Sequence, residues 1–540
     1  MSNQIEWKRT RPVVSGIHGS VASAHPLATQ AGLDMLKSGG NAIDAVVAMA
    51  VALGVVEPYM SGMGGVGFLL SHASNGETTV LNFSGNTPAA GTPDQFTPES
   101  QDAGPRASLI PGCVAGWFEA LSKQGTKSAA EVFAPAVRLA EDGFPLHPFN
   151  VHFFETALCR LNEAGKAVHG NVSLRIGAVL KQPDLASSLR SIAENGPDFF
   201  YSGPLSHQLV DYLQSQDGLI TQDDLEGYQP EWETPIGVPY RGVKIKTCPP
   251  NNEGFQILQT LKLLESYDLK SLGHNSADYI HLLTEAIKLA VADRIQYCAD
   301  PKFQSVPLER LLSNEYIAER RNLIDHDRAS RSEGERWRGR RQDGMVSPGK
   351  VEGLTTHMAA IDEAGNVASI TQSLGNGFGS GVMVPGTGIL LNNFIWWTEI
   401  DPKCDTPNLV EPGKRWCSCM APTHVFRDDG RFWFSIATPG SEGILHTTLQ
   451  MILNILEFDA DPQTAIEAPR FRLWEETKMQ IENRVDAAVL EELTARGHAL
   501  EMVGDFSAMV GGGQSVMIDP ESNARLAGAD PRRDGYALAY

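Results

Sequence analysis

Residues 352–370 read Glu352-Gly353-Leu354-Thr355-Thr356-His357-Met358-Ala359-Ala360-Ile361-Asp362-Glu363-Ala364-Gly365-Asn366-Val367-Ala368-Ser369-Ile370. Thr355–Ile361 has the composition of a β-strand, Asp362 to Asn366 that of a turn, and Val367–Ser373 that of a returning strand, so a hairpin is expected. A Thr-Thr pair that only opens a strand needs no further account. A second reading gives it chemistry. If the chain is cut before Thr355, that residue becomes a terminus. An N-terminal threonine carries a nucleophilic hydroxyl and, on its own backbone, an amine. The amine's pKa of about 7.7–8.0 leaves a useful neutral fraction near pH 7. A threonine activated by its own terminal amine is an established way to make a weak hydroxyl attack a carbonyl.

The flanks fit a cut at this place. Upstream, Arg328-Ala329-Ser330-Arg331-Ser332-Glu333-Gly334-Glu335-Arg336-Trp337-Arg338-Gly339-Arg340-Arg341 is polar and basic, with almost no aliphatic side chains. Such a segment buries too little surface to offset its ordering entropy. Residues from about 328 to 350 are therefore expected to form a mobile linker that lets a new chain end move away. Downstream, Gly375-Asn376-Gly377-Phe378-Gly379-Ser380-Gly381 is expected to be a flexible loop. Arg431 to Ala437 reads as a strand, Thr438-Pro439-Gly440-Ser441-Glu442-Gly443 as a turn, and Ile444 to Leu456 as an apolar helix. A strand, glycine turn and helix in that order aim free backbone N–H groups at one point, with the helix dipole behind them. That arrangement can stabilise an oxyanion; an ordinary strand–helix turn has the same signature.

Earlier in the chain, Ser23-Ala24-His25-Pro26 opens a helix closed by Gly39-Gly40. Asn41 caps the next, with Asp44 three residues on in a capping-box arrangement. That helix, Ala42 to about Leu53, is apolar nearly all round and is expected deep in the core. Gly62-Met63-Gly64-Gly65-Val66-Gly67 matches the glycine spacing of a dinucleotide site. Its context is wrong: a helix ends before it at Glu57-Pro58 and a strand follows at Phe68-Leu69-Leu70, the reverse of the required order. Pro111 to Phe144 reads as mostly helical. Tyr240 to Thr247 alternates like one strand, and Pro249-Pro250-Asn251-Asn252-Glu253-Gly254 launches a helix from Phe255 to Leu264. Ser276 to Ala299 reads as a long helix.

Bulk composition removes several classes of function. The chain has 540 residues, 42% hydrophobic and 20% charged, enough material for a large core. A net charge of -21 opposes binding to nucleic acid or an anionic membrane surface, so neither is an expected partner. The longest apolar run, Ala45 to Val56, is too short to span a bilayer, which takes about 20 residues. The first residues lack the apolar run of a secretory signal, and a cytoplasmic location is expected. Seven scattered cysteines fit reduced thiols better than a disulfide framework. Cys417-Ser418-Cys419 has no second cysteine pair, so no metal is expected. No cofactor is expected either.

At this point the residues match a known family. The chain resembles the γ-glutamyltranspeptidases (glutathione hydrolases) of the N-terminal-nucleophile, or Ntn, hydrolase superfamily. The likeness covers nearly the whole chain, in order. It is carried by Ser38-Gly39-Gly40-Asn41-Ala42-Ile43-Asp44-Ala45, Gly64-Gly65-Val66-Gly67-Phe68, Pro249-Pro250-Asn251-Asn252-Glu253-Gly254, Thr355-Thr356-His357, Gly388-Ile389-Leu390-Leu391-Asn392-Asn393, Met420-Ala421-Pro422-Thr423 and Ala468-Pro469-Arg470-Phe471. The resemblance implies an α+β fold, a four-layer αββα sandwich. It implies a proenzyme that cuts itself between Leu354 and Thr355 into a large subunit, residues 1–354, and a small one, residues 355–540. It implies Thr355 as nucleophile, Ser373 as the hydroxyl that orients it, and Gly440 and Ser441 as oxyanion donors. The family activity is cleavage of γ-glutamyl amide bonds, as in glutathione, through an acyl-enzyme.

The substrate positions depart from the family pattern. An arginine that holds the γ-glutamyl carboxylate is matched by Ser84. An asparagine near the return strand is matched by Gly375, with Asn376 beside it. The polar and acidic residues that grip the α-amine fall on Phe394 and Trp397, and paired serines become Ser418 and Cys419. Ser84, Asn376, Phe394 and Ser418 are thus the expected substrate-binding positions for a small-molecule amide. An apolar Phe394 and Trp397 cannot replace a carboxylate–ammonium contact. Oxamate-type and glutaryl or cephalosporin-acylase-type amides are therefore expected alongside γ-glutamyl compounds, with a non-catalytic binding relative as a further alternative.

Overall fold

The computed structural model describes residues 9–331 and 354–540. Most of the linker expected at 328–350 lies outside the described residues. The hairpin forms as the sequence predicts: Thr356–Ile361 pairs antiparallel with Val367–Ser373, with Thr356 opposite Gln372. Thr355 lies one residue ahead of the first strand.

That hairpin is the centre of a seven-stranded sheet, here sheet II. Its order is Tyr536–Ala539, Ser20–Ser23, Thr356–Ile361, Val367–Ser373, Val66–His72, Thr78–Phe83 and Glu231–Glu233. Sheet I, also seven-stranded, runs Val14–Gly16, Arg525–Ala529, Gln514–Ile518, Phe432–Ala437, Thr423–Phe426, Val243–Thr247 and Ile236–Tyr240. All pairings in both sheets are antiparallel. The sheets stack through small and aromatic side chains: Ala22, Ala359, Ile361 and Val367 meet Phe426, Phe432, Val516 and Ala527. A polar contact also crosses the gap, Ser369 Oγ to His424 Nε2 at 3.0 Å.

Helices cover both outer faces and complete the αββα sandwich. Pro26–Lys37 and Ala42–Val56 lie on sheet II. Phe255–Leu264, Ala277–Tyr297 and Gly443–Phe458 cover sheet I. Every residue of Ala42–Val56 except Gly54 is buried. Each valine or leucine so buried contributes about 1.5–3 kcal/mol. The capping box at its start is present, with Asn41 N–H donating to Asp44 Oδ2 at 2.8 Å. Among the described residues no helix is long and apolar enough to cross a membrane.

This helix lies along the strand that follows Thr355. At its N-terminus the Ala42 N–H donates to Asp362 Oδ2 in the hairpin turn, at 3.1 Å. At its C-terminus Glu57 accepts a hydrogen bond from the hydroxyl of Thr356, at 3.1 Å. Fifteen helical residues span about 22 Å, and six strand residues about 20 Å. The matching lengths let one rod fix both ends of the strand.

One expected element is corrected. Tyr240 to Thr247 is not a single strand: Tyr240 closes Ile236–Tyr240, and the chain reverses at Arg241 and Gly242 into Val243–Thr247. Both turn residues have positive φ, 44° and 82°. A two-residue turn of that kind is a hairpin connection.

Candidate active site

Thr355 is 7% exposed. Thr355 precedes the strand that Thr356 opens. The Leu354 carbonyl, the acyl half of the peptide bond to Thr355, accepts a hydrogen bond from Ser373 Oγ at 2.6 Å. Ser373 Oγ in turn accepts from the Gly375 N–H at 2.9 Å. The hairpin makes this contact possible, because Ser373 ends the strand whose partner begins at Thr356.

The hairpin turn and the start of strand Phe432–Ala437 share one end of the sandwich, where Ile361 and Val367 pack with Phe432. That strand therefore finishes at the opposite end, with Thr355 and Ser373. There it enters the Thr438–Glu442 turn and helix Gly443–Phe458. Gly440 has φ +143° and Ser441 φ +55°, the second a left-handed conformation rare for a side-chain-bearing residue. Among the described residues, the N–H groups of Gly440 and Ser441 have no hydrogen-bond acceptor. The expected strand–turn–helix is thus present, with two backbone donors free at its bend.

Two buried ionisable groups, Glu57 and Arg533, not anticipated from the sequence, lie close enough to feel each other's charge. Glu57 is 2% exposed, and burial pushes its carboxyl up to about 8, against the pull of Thr356 and Arg533. Arg533 is 1% exposed, and burial brings its guanidinium down to about 10, with Glu57 opposing. Its stem lies under Gly512, where an added Cβ would come within 2.6 Å of Arg533 Cδ. The neighbouring Gly511 backs Gly440. Glu57 stands out in sequence only as a charge at the end of an apolar helix, which does not reveal its burial.

The four expected substrate positions gather in one region. Ser84 is 1% exposed; its hydroxyl accepts from Asn251 Nδ2 at 3.2 Å and its carbonyl from Trp416 Nε1 at 3.0 Å. Ser418 is fully buried, its N–H donating to the Asn251 carbonyl at 2.9 Å. Phe394 stacks on Trp416 with centroids 4.3 Å apart, and Trp397 lies 5.9 Å from Trp416. Asn376 stands beside them: its N–H donates to Asn393 Oδ1 at 2.8 Å and its amide to Asp102 Oδ1 at 2.7 Å. Trp416 and Asp102, central to this region, were missed, because nothing in their local sequence distinguishes them.

Charged groups here are already paired. Arg160 grips both oxygens of Asp102, at 3.0 and 2.9 Å. Arg415 pairs with Asp300 at 2.9 Å and Glu233 at 3.0 Å. Arg294 lies between Glu253 and Glu442, at 3.5 and 3.6 Å. One trio among the described residues has the composition of a metal site: His281, Glu285 and His498, with ligand atoms within 4.8 Å. Most of its ligand atoms already have protein partners, and His498 Nδ1 alone of them is buried without one. His281 Nδ1 shares a hydrogen bond with His498 Nε2 at 2.8 Å, His281 Nε2 donates to the Asp325 carbonyl at 2.8 Å, and Glu285 is held by Lys288 and Ser330. The trio fastens residues 325–330 to His498.

The family model for γ-glutamyltranspeptidase matches residues 28–540. The chain belongs to the γ-glutamyltranspeptidase family. As a member of it, the protein is an Ntn-type amidohydrolase with the αββα fold of that group. It is 36% identical over 97% of its length to the glutathione hydrolase proenzyme of Bacillus subtilis, of which it covers 92%. It is also 36% identical over 97% of its length to the acylase ACY 1 proenzyme of a Pseudomonas species, covering 94% of that chain. The crystal structure of cephalosporin acylase from Bacillus halodurans superposes with a TM-score of 0.89 at 32% identity, covering 100% of this chain and 99% of the other. Family membership alone therefore spans both glutathione hydrolases and acylases.

Proposed function

We propose that the protein is a self-processing N-terminal-threonine amidohydrolase whose acyl pocket takes a small acyl group lacking an α-ammonium. In the uncut chain, Thr355 Oγ adds to the Leu354 carbonyl carbon, polarised by the Ser373 hydroxyl. The C–N bond then breaks, and the hydroxyl proton passes to the departing nitrogen. Water hydrolyses the resulting ester and leaves a Leu354 carboxylate and a free Thr355 amine. The relatives named as proenzymes support this order of events.

In turnover the Thr355 amine takes the proton from Oγ as Oγ adds to the substrate carbonyl. The N–H groups of Gly440 and Ser441 receive the oxyanion. Collapse expels the amine with that proton, and water or another amine releases the acyl group.

The observation that carries the substrate assignment is the stack of Phe394 on Trp416, with Trp397 beside it. An α-ammonium in this region would need a carboxylate, and that of Asp102 is already engaged by Arg160 and Asn376. Leaving a buried ammonium unpaired is too costly for useful binding. The proenzyme homology to glutathione hydrolases equally supports γ-glutamyl amides. Two anilides that differ only in the α-amino group, glutaryl and γ-glutamyl, separate the readings. Glutaryl anilide is expected to have the higher kcat/KM, by at least about tenfold; γ-glutamyl anilide as the better substrate would overturn the assignment. Thr355→Ala is expected to stay full length and inactive. Two fragments from this variant would refute Thr355 as the nucleophile.

A further inference from the structure

We propose that Glu57 is a positioning residue for Thr355, acting through the Thr356 hydroxyl, and that its ionisation is coupled to that of the Thr355 amine once the chain is cut. This rests on the assignment of Thr355 as nucleophile.

The Glu57 carboxylate takes its hydrogen bond from the hydroxyl of Thr356 and not from that of Thr355. It can fix Thr356 in place. Its backbone is held at the end of the core helix, the Glu57 N–H donating to the Leu53 carbonyl at 2.8 Å and its carbonyl accepting from the Met60 N–H at 2.8 Å. The far end of that helix is bound to Asp362. Thr356 therefore has no freedom to slide, and neither does the atom that will become the new terminus.

The groups facing the Glu57 carboxyl come from three other places. Thr356 donates from the strand, Arg533 and Asp534 bring opposite charges from the C-terminal segment, and Tyr59 lies beside it. Tyr59 is itself held by Asn150 Nδ2 at 3.0 Å. None of these groups is solvent, so a change of charge on Glu57 is felt by whatever ionises next to it. The Thr355 amine will be one residue from Thr356, whose hydroxyl donates to Glu57 at 3.1 Å, with about 3.8 Å between the two Cα atoms. The carboxyl, pushed up to about 8, titrates in the same range as a terminal amine. Two such groups lose their protons in coupled steps.

The test uses the matured enzyme and its pH profile. Wild-type kcat/KM should rise over a limb broader than one ionisation. In Glu57→Gln, which keeps the shape and removes the charge, the limb should collapse to a single ionisation and reach its plateau at least about 0.5 pH unit earlier. Thr356→Val leaves Glu57 in place and removes only the donor. It should lower kcat about tenfold with KM unchanged, and Thr356→Ser should restore it. A Glu57→Gln profile superimposable on wild type, or an unchanged kcat in Thr356→Val, overturns the proposal. Should wild-type chains show no second terminus beginning Thr-Thr-His, the nucleophile assignment fails instead.

Discussion

Ser373 holds the Leu354 carbonyl, and under the proposed self-cleavage that contact predicts the rate of cutting. Losing one preorganised donor to a developing oxyanion costs about 10²–10³ in rate. Ser373→Ala should therefore slow the appearance of the small fragment by about 10²-fold, measured on denaturing gels, with the fold retained; Ser373→Thr, which keeps the hydroxyl, should mature. The residues that could be read from sequence are those whose chemistry is local. A Thr-Thr-His after a basic linker and a glycine turn before an apolar helix announce themselves. Glu57, Arg533, Asp102 and Trp416 do not. Their settings come from burial and from neighbours about 20 to 480 residues away, which no local pattern records. Phe394 was legible as a departure from the family pattern, but its stacking on Trp416 was not.

At the scale of elements, the core helix Ala42–Val56 is held at its start by more than a cap. Asp44 accepts from the Asn41 N–H at 2.8 Å, the Thr126 N–H at 3.0 Å and the Lys127 N–H at 3.1 Å. Asp44→Ala would remove the shared acceptor of several part-buried donors, each such bond worth about 1 kcal/mol or more. We expect a loss of about 3 kcal/mol or more, read as a fall in Tm, with Asp44→Asn less affected. Periodicity and capping residues revealed this helix because both are short-range signals. They failed at Tyr240–Thr247, where two strands of like composition meet at a turn of only Arg241 and Gly242. A turn that brief barely interrupts the alternation.

For the whole molecule, acid stability follows from its buried histidines. Burial brings His25, His169, His357 and His446 down to about 3, and His424, lying between the sheets, well below its ordinary value. Above about pH 6.5 these rings are neutral in both folded and unfolded chains. Below it the unfolded chain binds protons that the folded one refuses, so stability falls as the pH drops from about 6.5 toward 3. A pH 5 solution should cost about 1–2 kcal/mol for each such ring, seen as a Tm that is flat above pH 7 and declines steadily below 6. A Tm unchanged down to pH 4 would contradict this.

Each sheet draws strands from both sides of Thr355: Ser20–Ser23 lies beside Thr356–Ile361, and Thr423–Phe426 beside Val243–Thr247. After cutting, the fragments of 354 and 186 residues should elute together under native conditions and separate only in denaturant. The interleaving also fixes an order of events in biosynthesis. Neither half can complete a sheet by itself, so the proposed cut before Thr355 is expected to follow folding. A gene divided between codons 354 and 355 would have to supply both polypeptides at once, each serving as the other's template.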